Sequence, residues 1–170
     1  MSTTLTGTLR PDLLKLRTYA LAGAFVAGNI ALPQLAHLVP GGGPMLLPIY
    51  FFTLIAAYRY GLAAGILTGA LSPLVNYLLF AMPAAEMLPV LLAKSTLLAT
   101  AAAWMAHRLN GKVSLLALLG VVLAYQLPGG LFELLYTGSW SMALQDFRVG
   151  LPGMALQVVG GWLILRKLMK

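Results

Sequence analysis

Residues Leu35–Phe52 read LAHLVPGGGPMLLPIYFF and place a cluster of glycine and proline, Pro40–Pro44, between two strongly apolar runs. Glycine permits backbone angles that other residues avoid, and proline restricts its own backbone and that of the residue before it. The stretch therefore predicts a tight connection between two apolar segments. Both a plain turn and a compact lid over a binding site fit this pattern.

The rest of the chain repeats these apolar runs. Hydrophobic residues make up 60% of the 170 residues and charged residues only 9%, whereas soluble domains carry about 25% charged residues. Since about 20 helical residues cross a bilayer, we predict an all-α integral membrane protein with six transmembrane helices in one compact bundle, a single domain over 1–170. The second segment is short and is expected to be tilted, irregular or partly shielded. The six segments are 18–38, 45–58, 61–80, 87–107, 113–136 and 146–165.

The basic residues predict the orientation of the bundle. We expect the first segment to be retained as a span rather than cleaved as a signal peptide. If the N-terminus is then placed inside, nine of the 11 Lys and Arg residues fall in cytoplasmic segments. This separation follows the positive-inside rule, so both termini are predicted to be cytoplasmic, with 1–17 as the N-terminal segment. The net charge of +7 is then a sign of topology rather than of nucleic-acid binding. The nine residues are Arg10, Lys15, Arg17, Arg59, Arg108, Lys112, Arg166, Lys167 and Lys170.

Polar residues at membrane depth are expensive and usually face the interior of a bundle. Here they collect in the external half of the predicted spans, which indicates an outward-facing cavity. Lys94 and Glu133 are suited to a zwitterionic or carboxylate-bearing molecule. The predicted substrate-binding residues are Asn29, Gln34, His37, Gly41, Gly42, Gly43, Asn76, Lys94, Gln126, Glu133, Trp140 and Gln157.

Several of these residues have a purely structural alternative. Lys94 and Glu133 can pair with each other and hold the bundle together. Asn29 and Gln157 can equally bond neighbouring helices. His37 fits a loop position near lipid headgroups, and Trp140 fits the aromatic belt at a membrane interface.

A stripe of small residues marks the first helix. Ala20, Ala24 and Gly28 recur every four residues, a spacing that lets another helix approach closely. The approaching helix is either internal or part of a different subunit.

The chain lacks the usual signatures of catalysis. It contains no cysteine, no G-x-x-x-x-G-K-[ST] motif for ATP, no H-E-x-x-H and no G-x-S-x-G. No catalytic pair and no metal motif stand out. We therefore expect a protein that is not an enzyme and that needs no cofactor.

The pattern as a whole resembles the substrate-binding S component of an energy-coupling factor (ECF) vitamin transporter. The resemblance covers most of the chain and is carried by four stretches. These are QLAHLVPGGGP (34–44), MLLPIYFFTLIAAYRYG (45–61), GLAAGILTGALSPLVNYLLFAMP (61–83) and GLPGMALQVVGGWLILRKL (150–168).

The resemblance implies a six-helix bundle in a prokaryotic cytoplasmic membrane that captures one vitamin or vitamin precursor and delivers it to a coupling module. That module consists of a transmembrane T subunit and two ABC-type ATPases, so the ATPase partners supply the energy. Ala20, Ala24 and Gly28 would face the T subunit, and Pro40–Pro44 would help to close the site. Membrane lipid is the remaining expected partner, and no nucleic acid is expected.

One departure leaves the ligand open. Relatives with a similar loop often carry an acidic residue in the fourth span, where this chain has Lys94. Pantothenate, folate, cobalamin and queuosine-type precursors all stay possible, and the basic residue favours a carboxylate or phosphate group. The alternative functions are a solitary small-molecule carrier or channel without ATPase partners, and a small membrane scaffold or enzyme.

Overall fold

The computed structural model describes residues 16–169, and every regular element in this range is helical. Arg10, Lys15 and Lys170, which contributed to the predicted orientation, lie outside the described residues. The α-helices are α1 (Leu16–Ala36), α2 (Gly42–Leu46), α3 (Phe51–Tyr60), α4 (Leu62–Phe80), α5 (Leu88–Arg108), α6 (Leu115–Thr137), α7 (Trp140–Ala143), α8 (Gln145–Arg148), α9 (Leu151–Ala155) and α10 (Gly161–Leu168). Pro48–Tyr50 and Ala85–Met87 form 3₁₀ turns, and Leu156–Gly160 forms a π turn.

Within residues 16–169, four helices are long and apolar enough to cross a membrane: α1, α4, α5 with its preceding 3₁₀ turn, and α6. They contain 19 to 24 residues each, and their bounds agree with the predicted segments to within a few residues. The prediction of an all-helical, multi-pass membrane protein is confirmed to this extent.

The two remaining apolar segments are irregular. The second consists of the 3₁₀ turn at Pro48–Tyr50 followed by the ten residues of α3. Seven residues of α3 are buried, so this short segment is shielded by its neighbours. The sixth runs from Leu151 to Leu168 as α9, the π turn and α10. A π turn inserts one extra residue into a helix and is often found at functional sites.

The helix ends follow from local sequence. The side chain of Ser114 accepts a hydrogen bond from the Ala117 amide and begins α6, as expected for a serine N-cap. Gly138 ends α6 with a φ of +67°, a conformation that favours glycine. Gly61 alone connects α3 to α4. The two helices run antiparallel, since Gly65 packs against Ala57 and Gly69 against Thr53.

The helices α1, α3, α4, α5 and α6 and the α9–α10 segment alternate in direction along the chain, which defines two ends of the bundle. The rings of Phe25 and Tyr60 lie 5.6 Å apart, so the middle of α1 lies beside the end of α3, and the first turns of α1 extend beyond it. At this basic end the hydroxyl of Tyr58 donates to the Lys112 carbonyl at 2.7 Å, and Arg59 Nε donates to the Leu168 carbonyl at 3.0 Å. The opposite end, called here the cavity end, holds the connections 37–47, 81–87 and 138–150. The described basic residues of the basic end are Arg17, Arg59, Arg108, Lys112, Arg166 and Lys167.

The glycine cluster forms a folded connection at the cavity end. Gly41 has a φ of +74° and precedes α2, and a Cβ at Gly42 would overlap the Ala36 carbonyl oxygen. Helix α2 then lies against α9, where a Cβ at Gly153 would overlap the Leu46 carbonyl group. The glycines are therefore needed because backbones pack directly against each other.

Candidate ligand-binding site

A cavity of about 330 Å³ lies at the cavity end of the bundle. Its lining comes from α1, the connection through α2, the end of α4, the start of α5, α6 and α8. The side chains of Tyr50 and Val90 are buried in its floor, while His37, Pro44 and Met82 are exposed around it. The volume falls at the lower end of the roughly 300–1,000 Å³ typical of small-molecule pockets. The wall is mainly apolar, so its few polar groups determine how a ligand is oriented.

The strongest polar feature of the cavity is a charged triad formed by Lys94, Glu133 and Asp146. Lys94 Nζ donates to Glu133 Oε2 at 2.6 Å and to Asp146 Oδ2 at 2.8 Å. The three side chains are only 3%, 7% and 14% exposed. Lys94 reaches this position because Gly129 on α6 leaves room for its aliphatic stem; a Cβ there would lie 2.6 Å from Lys94 Cγ.

The pairing of Lys94 with Glu133 matches the structural alternative drawn from the sequence, with Asp146 as a third member. The pair also lines the cavity, so its structural role does not remove it from the candidate site. One positive and two negative side chains give the triad a formal charge of −1. This is a different electrostatic environment from the one that Lys94 alone suggests.

Asn76 is the second polar group in the cavity wall. Its Nδ2 donates to the backbone carbonyls of Asn29 at 3.0 Å and Ser72 at 2.9 Å. Its Oδ1 has no hydrogen-bond partner within residues 16–169, although the residue is only 3% exposed. Buried polar groups in proteins nearly always have a partner, so this oxygen is a candidate contact for a ligand.

Asn29 lies behind the cavity as a junction between helices. Its Nδ2 donates to Thr53 Oγ1 at 3.1 Å and to Ser72 Oγ at 3.0 Å, and its Oδ1 accepts from the Phe52 amide at 3.2 Å. The side chain is fully buried and has no atom in the cavity lining. Its position corresponds to the interhelical alternative rather than to ligand contact.

Gln126 and Gln157 meet beneath the cavity floor. The hydroxyl of Tyr125 donates to Gln157 Oε1 and accepts from Gln126 Nε2, both at 3.0 Å. The Tyr125 ring lies 5.4 Å from that of Tyr50, which lines the cavity. Gln157 belongs to the π turn, so this buried network joins α6 to the sixth apolar segment.

The structure divides the predicted substrate-binding residues into two groups. Gln34, His37, Gly43, Asn76, Lys94 and Glu133 line one cavity. Trp140 is 68% exposed on the surface of the bundle, and Gly41 and Gly42 shape the connection without lining the cavity. The predicted residues that lie outside the cavity lining are Asn29, Gly41, Gly42, Gln126, Trp140 and Gln157.

The sequence placed Asp146 in a polar stripe of the sixth segment but did not select it as a ligand contact, and it did not single out Tyr50 or Gln145; all three line the cavity. Asp146 carried a usable signal, because it is one of only four acidic residues in the chain and lies in a predicted external connection. Tyr50 carried none, since an aromatic residue at the edge of an apolar segment is typical of any membrane interface.

The predicted docking residues of α1 also fall into two groups, one exposed on the surface and one packed inside the bundle. Ala20 and Ala24 are exposed on the outside of the bundle. Gly23 lies beside them, and no atom of the described part of the chain lies within 4 Å of a Cβ placed there. A Cβ at Gly28 would instead lie 2.7 Å from the Phe52 ring, so Gly28 serves the internal packing of α1 on α3.

Comparison of the chain with protein-family models, with curated proteins and with solved structures finds no match.

Proposed function

We propose that this chain is the substrate-capture component of an energy-coupling transporter, which binds one small micronutrient and passes it to ATP-driven partner subunits. The observation that carries the proposal is the cavity at one end of the bundle. Six of the residues selected from sequence as ligand contacts line it, and they come from helices far apart in the chain.

The proposed orientation follows from the positions of the charges. Six described basic residues gather at the end opposite the cavity, and basic residues favour the cytoplasmic side of a membrane. With α3 and the α9–α10 segment counted as crossings, six spans place both termini in the cytoplasm. The cavity then faces the outside, where a scarce nutrient must be captured.

The exposed small residues of α1 support docking to a partner. Ala20, Gly23 and Ala24 are small residues on the exposed face of α1, one turn after the larger exposed side chains of Leu16 and Tyr19. Small residues at this spacing favour close approach of another helix. In the proposed assembly this surface meets the transmembrane T subunit. Two ABC-type ATPases then supply the energy that this chain has no P-loop to provide.

Native mass spectrometry of the chain in mild detergent tests the capture function. We expect a co-purified small molecule at one-to-one stoichiometry, and its loss in Glu133→Gln. Glu86→Gln is the matched control, since Glu86 is exposed at the same end and lies outside the cavity lining. Equal retention in Glu133→Gln and the wild type would place the ligand elsewhere. A ligand-free chain that also supports no uptake when reconstituted with a coupling module would contradict the proposal.

Substitution at the α1 surface tests the docking step separately. Ala24→Leu is expected to abolish co-purification with a T subunit while ligand binding persists. Ala124→Leu makes the same change at an exposed alanine of α6 and is expected to leave both intact. Uptake into liposomes that contain only this chain would instead identify a solitary carrier.

A further inference from the structure

We propose that the ligand presents a positively charged or N–H-rich group to the cavity, attached to an apolar or aromatic body, and is not an anion. This inference rests on the proposed capture function and deepens it, because it specifies the chemistry of the captured molecule. It replaces the expectation of a carboxylate or phosphate ligand that Lys94 suggested.

Lys94 is already committed to protein groups. An ammonium group has three donors, and two of them bind Glu133 and Asp146 at 2.6 and 2.8 Å. An anionic ligand would have to compete with two carboxylates that are held in place by the fold. It would also enter a region where the three side chains sum to −1, in which like charges repel strongly because burial weakens screening.

The carboxylates of the triad offer acceptors rather than donors. Each uses one oxygen for Lys94, Oε2 in Glu133 and Oδ2 in Asp146. The second oxygen of each side chain remains as an acceptor, and both residues line the cavity. A ligand ammonium, amidinium or ring N–H group placed against them forms a charge-assisted hydrogen bond and neutralises the excess negative charge.

Asn76 independently points to a donor on the ligand. Both partners of its Nδ2 are backbone carbonyls, which can only accept. Turning the amide over would set oxygen against oxygen, so the assignment of Nδ2 and Oδ1 is settled by the surroundings. The unpartnered group is therefore an acceptor, Oδ1. This oxygen is almost inaccessible at the cavity wall, so a bound N–H or O–H supplies its hydrogen bond only with a small shift of the Asn76 side chain.

The remaining wall defines the body of the ligand. Tyr50, Val90 and Leu91 line the cavity together with methionine and proline side chains at 82, 83 and 87. Such a surface gains most from burial of a flat or apolar group. The donor group and the apolar body together describe a small cationic or N–H-bearing aromatic molecule.

Benzamidine and benzoate form a matched pair of probes, because they share a ring and a planar polar end but carry opposite charges. We expect millimolar benzamidine to raise the unfolding temperature of the detergent-solubilised chain in a concentration-dependent manner, and benzoate to leave it unchanged. Asp146→Asn and Glu133→Gln each remove one negative charge and are expected to raise the Kd for benzamidine about tenfold or more. Arg148→Met, at an exposed residue outside the cavity lining, is expected to keep the wild-type Kd.

The outcomes separate this inference from the capture function. Stronger binding of benzoate than of benzamidine would overturn the inference, while capture of a small molecule would stand. An unchanged benzamidine Kd in both carboxylate variants would overturn it as well. Binding of neither probe also overturns it, and the mass of the co-purified ligand then decides separately whether the chain captures a small molecule.

Discussion

Replacement of Lys94 by methionine is expected to destabilise the bundle strongly. Lys94 is 3% exposed and pairs with Glu133 at 2.6 Å and with Asp146 at 2.8 Å. Methionine nearly preserves the aliphatic stem that packs over Gly129, so the change removes the charge more than the volume. Two carboxylates are then left close together without a counter-charge. Breaking a buried ion pair in this way typically costs about 3–5 kcal/mol.

The assay is the free energy of unfolding of the purified chain in mixed detergent with increasing sodium dodecyl sulfate, followed by tryptophan fluorescence. The triple variant Lys94→Met, Glu133→Gln, Asp146→Asn removes all three charges and keeps the side-chain shapes. We expect it to recover part of the lost stability, because no uncompensated charge remains. Full recovery is typical of replacement by apolar residues of similar volume, and here the two new amides still need hydrogen-bond partners. Arg148→Met removes an exposed positive charge at the same end and should change the free energy of unfolding by less than about 0.5 kcal/mol.

Two results would refute this reasoning. Wild-type stability in Lys94→Met would show that the triad is not a buried, paired cluster. A triple variant no more stable than Lys94→Met would show that the loss comes from packing rather than from uncompensated charge. The comparison therefore separates the electrostatic role of Lys94 from its role as a space-filling side chain.

The same unfolding assay tests two further features of the fold. Asn29→Ala removes three side-chain hydrogen bonds to α3 and α4 and is expected to cost roughly 2 kcal/mol, from about 0.6 kcal/mol for each interhelical bond. The control is Thr100→Ala, because the exposed Thr100 hydroxyl donates to a carbonyl of its own helix. An equal loss of stability in both variants would refute the role of Asn29 as a junction between helices. Gly153→Ala places a Cβ against the Leu46 carbonyl and is expected to destabilise by about 1–3 kcal/mol through overpacking. Gly23→Ala, with open space around the new Cβ, is expected to stabilise by about 0.5–1 kcal/mol, and the same sign for both glycines would contradict the close packing of α2 on α9.

Hydropathy and segment length predicted the helices well, because the hydrocarbon of a membrane requires a spanning helix to be apolar and about 20 residues long. In hydrocarbon every backbone N–H and C=O must be satisfied within the segment, which leaves a helix as the solution for an apolar run of about 20 residues. The runs at 61–80 and 113–136 are therefore long helices, whereas the run at 45–58 was too short to cross straight and is in fact broken by the turn at Pro48–Tyr50. The polar residues of the external half were also visible, since each is an exception within an apolar run.

The direction in which each polar side chain points was decided only by the tertiary structure. In α1 and α6 apolar residues cover nearly the whole helix surface, because both the protein core and the lipid are apolar. Hydropathy therefore does not show which side of a helix faces inward. That rotation follows from close contacts between helices. Gly28 packs against Phe52 and fixes α1 with Asn29 toward its neighbours, while Gly65 against Ala57 and Gly69 against Ser95 fix α4 with Asn76 toward the cavity.

The charged triad is the clearest example of a contact that the sequence pattern does not predict. Lys94 lies 39 residues from Glu133 and 52 from Asp146, and no local pattern links three positions so far apart. The sequence by itself predicted a helical membrane protein with polar residues gathered in one half of its apolar segments. Only the packing of α5, α6 and α8 decided that Lys94 pairs with two carboxylates. The net charge of the cavity wall depends on which charged side chains the fold brings within bonding distance of one another.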